Sequence, residues 1–406
     1  MKLCASEIKN KRDLREFIRF PWRIYQDYPR WIPPLWVEMR RKLDPKKNPF
    51  FRYGKVRLYG ITNGDRELVG RIAAIYNPVH CEIHHESVGF FGLFETINSI
   101  EVTRGLIGAV KTYLSEFECT HILGPVNFNT NDEAGLLIEG YDQSPMFMCD
   151  YSPPYYADLL AACGGEKAMD LISYGGTIDH SFPNKYLRVL QKVSSNSAVA
   201  VRPFDRRNLS RDISVIREIY NNSFGDVWGF VPLSLSETEE MGRNLISFSD
   251  GELVWFAEYE KKPVGFILAL PDVNEILRDL NGHLFPLGIV RFLLCRRHLK
   301  GVRVVVLCVL PSYRSTGIET LLIHQVCTRM KTGGYERAEL SVVNENNMKM
   351  RRILESLGFR PVKRYRIYRV PVKDCPPWNE RLAAGQRTTK AEEELHESSS
   401  DRTHSP

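Results

Sequence analysis

The chain has 406 residues and a formal net charge of +6, with 43% hydrophobic and 26% charged residues, which fits a globular protein of two or three domains. Its most apolar stretch, 283–295, is broken by Pro286 and Arg291 and is too short to span a bilayer. The nine cysteines show no C-x-x-C spacing, which argues against a zinc knuckle or disulfide framework and for free thiols in a reducing cytosol.

Residues 1–12 lack the apolar core of a signal peptide, so a cytoplasmic protein is expected. Residues 1–55 carry fifteen Lys/Arg against six Asp/Glu, interleaved with aromatics in FIRFPWRIYQDYPRWIPPLW (17–36). This arm reads either as a surface helix and Pro-rich strap packed on a domain, or as an interfacial segment. The second reading would place it on an anionic membrane, peripherally on the inner face, or on a lipid-like substrate. Nucleic acid is not expected as a partner, because no recognised binding motif accompanies the charge. A hairpin over 55–75 turns at Asn63-Gly64-Asp65, and a strand follows at 88–95. A helix over 99–117 is capped by Ser99; then come a strand at 119–126, a polar loop over 127–145 and a helix ending at Gly164-Gly165. Residues 181–200 read as a helix and linker.

The order then recurs: a strand at 198–204, helices over 208–247, a hairpin over 251–270, an inserted helical segment over 274–300, and a strand ending at Pro311. A helix follows Gly317, then a strand at 337–343, a helix over 346–359 and a strand at 365–372. Each half runs hairpin, strand, helix, strand, helix, strand, with no clear residue-level repeat. Residues 373–406 are rich in Glu, Ser and Thr and poor in large apolar residues; they are expected to be disordered and dispensable.

The stretch VLPSYRSTGIETLL (309–322) carries the sharpest chemistry. A strand that stops and turns into a helix leaves backbone N–H groups unpaired, and with the helix dipole these suit a phosphate. Gly317 lets the backbone approach such a ligand and Arg314 can add a charged contact. This stretch, with N-x-x-M-x-x-x-L-E-S-L-G-F over 347–359, resembles the GNAT N-acetyltransferase superfamily across 200–372. The resemblance implies an acyl-CoA or acetyl-CoA co-substrate and no metal. Its pyrophosphate would lie on the amides of Arg314, Ser315, Thr316, Gly317, Ile318 and Glu319. Leu307, Val309 and Leu310 on the preceding strand would bond the pantetheine and thioester, and Asn347 matches a family asparagine. Two positions depart from the pattern. Glu319 stands where Gly or Ala closes R-x-x-G-x-G/A, and a carboxylate beside pyrophosphate needs a cation or a sideways course. Leu354 stands where a tyrosine acid is common. Glu339, on the adjacent strand, is the candidate general base; a solvated strand carboxylate is its other reading.

The N-terminal half has no R-x-x-G and reads as a degenerate copy. Its loop 124–140 holds Asn127, Asn129, Asn131, Asp132 and Glu133, either an acceptor-binding set or a self-satisfied Asx-turn loop. HCEIHH (80–85) lacks a second ligand cluster for metal; His84 is the candidate proton carrier. The expected fold is mixed α/β, two tandem GNAT-like domains, each a mostly antiparallel sheet flanked by helices. Expected boundaries are an arm over 1–55, a degenerate domain over 56–180, a linker over 181–200, a CoA-binding domain over 201–372 and a tail over 373–406.

The arm pattern F-x-x-x-P-W-x-I-Y-x-D-x-P-x-W-x-P-P-L, from Phe17 to Leu35, extends the resemblance to a bacterial tandem-GNAT family that includes ceramide-synthase-like N-acyltransferases. It implies acyl transfer from a CoA thioester to an amine acceptor, here a long-chain, sphingoid-type amino alcohol. The alternatives are acetyl transfer to a polar amine or protein lysine, and a non-catalytic binding or regulatory protein of the same fold.

Overall fold

A computed structural model describes residues 5–178, 182–225, 227–248, 251–285 and 287–373; the expectation for the tail beyond 373 lies outside the described residues. The N-terminal half runs β1 (Ser6–Glu7), α1 (Lys11–Ile24), α2 (Trp36–Lys42), β2 (Lys55–Thr62), β3 (Leu68–Tyr76), α3 (Pro78–His84), β4 (Val88–Thr96), α4 (Ile100–Ser115), β5 (His121–Gly124), β6 (Leu136–Glu139), α5 (Tyr155–Ala162) and β7 (Glu166–Thr177). The C-terminal half runs α6 (Asn184–Ser194), β8 (Val199–Pro203), α7 (Leu209–Asn221), α8 (Leu235–Phe248), β9 (Val254–Tyr259), β10 (Lys262–Pro271), α9 (Asn274–Leu280), α10 (Leu287–Cys295), β11 (Gly301–Val309), α11 (Ile318–Thr332), β12 (Arg337–Asn344), α12 (Met348–Ser356) and β13 (Arg360–Pro371).

The strands form one mixed, mostly antiparallel sheet in the order β1-β2-β3-β4-β5-β13-β7-β12-β11-β10-β9-β8, with β6 beside β13. The two halves exchange their last strands. β7, from the N-terminal half, pairs with β12, and β13, the final strand, pairs with β5. The two exchanged strands also pair with each other over nearly their whole length. Each lies inside the sheet, and Tyr365, Ile367 and Val370 of β13 are almost fully buried. A boundary cut between the halves would strip each sheet of a central strand, so the halves fold as one structure. The only parallel ladders among the described residues are β4 with β5 and β11 with β12.

The arm's aromatics turn inward. Asn10 accepts from the Asp13 amide to start α1, and Phe17, Ile18 and Phe20 are buried while Arg12, Arg15, Arg19 and Arg23 face out. Trp22 stacks on Trp36 at 4.5 Å and donates to Asn281 Oδ1 at 2.8 Å; Tyr25 stacks on Trp31 at 4.5 Å. The arm is a packed strap, which corrects the idea that 17–36 lies free for a membrane. Tyr25 also donates from its hydroxyl to Tyr151 O at 2.9 Å in the interior. Tyr25→Phe should lower unfolding free energy by about 1 kcal/mol in urea titration; no change would show that this bond does not tie the strap down.

Candidate functional site

The site begins where β11 and β12 part. Their parallel ladder runs from Gly301↔Arg337 to Val304↔Leu340 and stops. Beyond it β11 continues bonded to β10 alone, through Leu307↔Ile267 and Val309↔Gly265. One edge of the strand carrying Leu307 and Val309 therefore faces a gap between strands. Arg303 closes the base of this gap: it donates to Ser341 Oγ at 3.0 Å and to the carbonyls of Phe147 and Met148, both at 2.7 Å.

At the far end of β11 the chain turns through Leu310 into α11. Arg314, Ser315 and Thr316 are exposed, and Gly317 has φ +95°, a conformation that glycine adopts without strain. Leu321 N is the first amide of the helix to find an intrahelical acceptor, at Gly317 O. Among the described residues no acceptor faces the amides of Thr316, Gly317, Ile318, Glu319 and Thr320. Five consecutive free donors at the start of a 15-residue helix form an anion cradle. Arg314 does not point into free solvent; it donates to Val309 O at 3.3 Å and to Ser223 O, bracing the turn. The carboxylate of Glu319 turns sideways to accept from Ser315 N at 3.2 Å, and Lys349 of α12 stands 3.5 Å away as its cation. Lys349 also donates to Ser315 Oγ at 3.0 Å. Ile318 is core, and Asn347 caps α12 by accepting from Met350 N.

The matching gap in the N-terminal half is shut. After the β4–β5 ladder ends at Phe90↔Leu123, Val126 N donates to Phe91 O and Leu93 N donates to Asn127 Oδ1, both at 2.8 Å. A Cβ on Gly92 would stand 2.4 Å from Val126 O, so chain fills this gap to contact. Calorimetric titration with CoA should give one site per chain; two equivalent sites would contradict the closed gap.

What the N-terminal half contributes instead is a cluster of charged and polar side chains. Asn131 accepts from the Tyr220 hydroxyl at 2.6 Å and donates to Val231 O at 3.0 Å, both in the C-terminal half. Asn129 donates to Glu237 Oε1 at 3.3 Å, and the Tyr53 hydroxyl donates to the same oxygen at 2.7 Å. Lys42 of α2 pairs with Glu133 and lies 3.9 Å from Asp132. Asn127 Nδ2 reaches Glu133 Oε2 and Asp150 Oδ2, each at 3.4 Å. Asp132 and Asp150 both stay open to solvent, with protein atoms close around them. Burial pushes each carboxyl up to about 7, with Glu133 adding to the rise and Lys42 opposing it. Glu133 is held low, because Lys42 outweighs its burial. The two raised acids are protonated in the folded protein at pH values where an unfolded carboxyl has already ionised. Their contribution to stability is therefore largest below the unfolded value and falls as pH rises toward 7.

The two candidate proton carriers lie elsewhere. Glu339 is not solvated: it is 5% exposed and pairs with Lys363 at 2.5 Å, which corrects the solvated-strand reading. His84 spends a ring nitrogen on Phe230 O at 2.8 Å, and its ring lies tilted against His80 at 4.4 Å. Asp150, Lys42, Tyr53 and Glu237 carry the cluster but come from four separate segments, so no local pattern marks them; only the Asn/Asp/Glu density of 127–133 does. Among the described residues no group of three or more His, Cys, Asp or Glu could hold a metal.

The model of the Acetyltransferase (GNAT) family matches residues 213–359, the part that holds the gap and the amide cradle. Protein YghO of Escherichia coli K12 is 33% identical over 367 residues, 88% of this chain and 93% of that protein. The bacterial ceramide synthase of Caulobacter vibrioides is 32% identical over 374 residues, 90% of this chain and 97% of that protein. In fold, the chain resembles a tandem GNAT protein from the clavulanic acid biosynthesis pathway, with a TM-score of 0.54 and 11% identity, covering 92% of this chain and 99% of that one.

Proposed function

The chain belongs to the GNAT acyltransferase family, and from that premise we propose that it transfers an acyl group from a CoA thioester to a lipidic amine, a long-chain amino alcohol of sphingoid type. The observation that carries the reading is the run of five free amides at the end of β11 together with the unpaired strand edge that leads to it, with the acidic cluster of Asp132, Glu133 and Asp150 linked to β12 through Cys149 and Ser341. The cradle suits a pyrophosphate, the edge suits the amide-bearing pantetheine arm, and the carboxylates suit an ammonium group. From Val304 to Val309 the strand spans about 17 Å at ~3.3 Å per residue, which separates phosphate from reacting carbonyl. Attack by the amine nitrogen on the thioester carbon forms the amide and expels the CoA thiolate.

Two observations support a lipidic acceptor. One relative carries the name ceramide synthase at 32% identity over most of both chains. The other is α10, which rests on the strap residues Ile32 and Leu35 through Phe292 but leaves Val290, Leu293 and Leu294 and the preceding Phe285 at 54–69% exposure. Arg296, Arg297 and Lys300 follow this apolar face. We read it as the surface that meets an anionic bilayer, from which a lipid amine would be drawn. No helix among the described residues is long and apolar enough to cross a membrane.

Initial rates of thiol release should be higher with palmitoyl-CoA than with acetyl-CoA when a sphingoid base is the acceptor. A preference for acetyl-CoA with polar amines would select the acetyltransferase reading instead. Vesicle co-sedimentation tests the surface: pelleting with anionic but not neutral vesicles, weakened by salt and lost in an Arg296→Glu, Arg297→Glu variant, is expected. Equal pelleting under all conditions, or none, would overturn it.

A further inference from the structure

We propose that Asp150 is the base that takes the proton of the acceptor amine, and that the Tyr365 hydroxyl of β13 faces the same reacting atoms. The assignment rests on the N-acyltransferase reading. Its first support is position. Cys149 Sγ lies 3.6 Å from Ser341 Oγ, and Ser341 follows Leu340, the last residue of β12 paired to β11. Asp150, the next residue, therefore stands at the mouth of the gap where a thioester carbonyl would emerge. Asn127 holds Oδ2 at 3.4 Å, and among the described residues Oδ1 has no hydrogen-bond partner.

The second support is independent of the acids. Side chains alternate along β12, so Leu340 faces the α11 core while Glu339 and Ser341 face the opposite side. On that side Tyr365 is 1% exposed, and its hydroxyl lies within electrostatic reach of Cys149, Glu339, Arg303 and Asp150. Among the described residues that hydroxyl has no hydrogen-bond partner, and neither has Glu339 Oε1. Buried polar groups are rarely left unpaired, because a group stripped of water and given nothing in return is costly. Two such atoms on one face, beside the gap, indicate a polar partner that arrives with substrate. Leu354, at the α12 position where the family often has tyrosine, is fully buried among apolar neighbours and offers no hydroxyl. Tyr365 can supply one from a different strand.

The proton count closes. Asp150 takes one proton from the ammonium, leaving a nucleophilic amine. The nitrogen lone pair forms the C–N bond, and the carbonyl π pair moves to oxygen beside the Tyr365 hydroxyl. Collapse breaks the C–S bond; the thiolate takes the nitrogen's remaining excess proton and leaves as CoA thiol. Asp150 returns its proton to water. The groups facing Asp150 are Glu133 of the loop, Lys42 of α2, Glu95 of β4, Arg71 of β3, Tyr25 just after α1 and Tyr365 of β13. Burial and Glu133 set its carboxyl near 7, so the base form predominates above that pH.

The test is the pH profile of thiol release. In the wild-type protein kcat/KM should rise tenfold per unit below about pH 7 and level above it. Asp150→Asn should lower kcat by about 10²–10⁴-fold, remove that limb and leave CoA affinity unchanged; Asp150→Glu should restore part of the rate. Tyr365→Phe should lower kcat tenfold or more with melting temperature unchanged or raised, since the lost hydroxyl bonds nothing in the free protein. An Asp150→Asn protein that keeps rate and limb, or a Tyr365→Phe protein as fast as wild type, overturns the respective assignment and leaves the transferase reading standing. A wild-type protein that binds CoA but releases no thiol with any acyl-CoA and amine overturns that reading and this one with it.

Discussion

Replacing Gly317 with valine will abolish CoA binding in a protein that still folds. Gly317 sits at φ +95°, where a β-branched side chain is strained by about 1–3 kcal/mol, and a Cβ there would meet Val189 Cγ1 at 3.1 Å and Val193 Cβ at 3.3 Å. To escape, the turn must rotate, and the amides of Thr316 to Thr320 then no longer converge. Hydrogen bonds to a charged group contribute about 1.5–3 kcal/mol each. Loss of two would weaken binding by at least about a hundredfold. Titration calorimetry of CoA, with a thermal melt to confirm folding, measures this. Unchanged affinity in a folded variant would move the phosphate site away from this turn.

Lys363→Met will produce the largest loss of stability. Lys363 and Glu339 are 3% and 5% exposed and pair across the sheet at 2.5 Å, with Glu339 Oε1 already lacking a partner. Removing the ammonium strands a carboxylate in the interior, at a cost of about 3–5 kcal/mol. Adding Glu339→Gln to the same protein should recover most of that loss, because the stranded charge is gone. Urea titration of both variants decides it. A single variant within about 1 kcal/mol of wild type would show that water reaches Glu339 and would return it to the list of proton carriers.

The local elements were legible because each is written in short-range pattern. Asn63-Gly64-Asp65 marked the first hairpin, Ser99 the start of α4, and Gly317 the turn before α11. A turn with free amides was legible for the same reason, since a strand end, a glycine and a helix start are all within ten residues, but Arg314 N and Ser315 N, expected among the free donors, are bonded to Pro311 O and Glu319 Oε1, and Thr320 N was not expected. The strand exchange was not. Tyr365 and Val370 of β13 read as a buried strand, but nothing local says that its partners are β5 and β7 rather than strands of its own half. That exchange brings Tyr365 of β13 near Asp150, more than a hundred residues away in the sequence. Glu319 departs from the pattern and takes up one of the turn's donors: its carboxylate accepts from Ser315 N and pairs with Lys349, an arrangement that only the fold of α12 against the turn could reveal. The arm taught the opposite lesson. Aromatics mixed with cations look interfacial in one dimension, but on α1 the helical period sorts Phe17, Ile18 and Phe20 inward and the arginines outward.

The most direct test of acyl transfer at this site is a mass balance on the wild-type protein. Palmitoyl-CoA and a sphingoid base are mixed with it, thiol release is followed by absorbance, and the lipid product is identified by mass spectrometry. The account predicts one N-acylated amine for each CoA thiol released, and neither product when Gly317 is valine. Thiol release without amide, or amide formed equally well by the Gly317→Val protein, would contradict it.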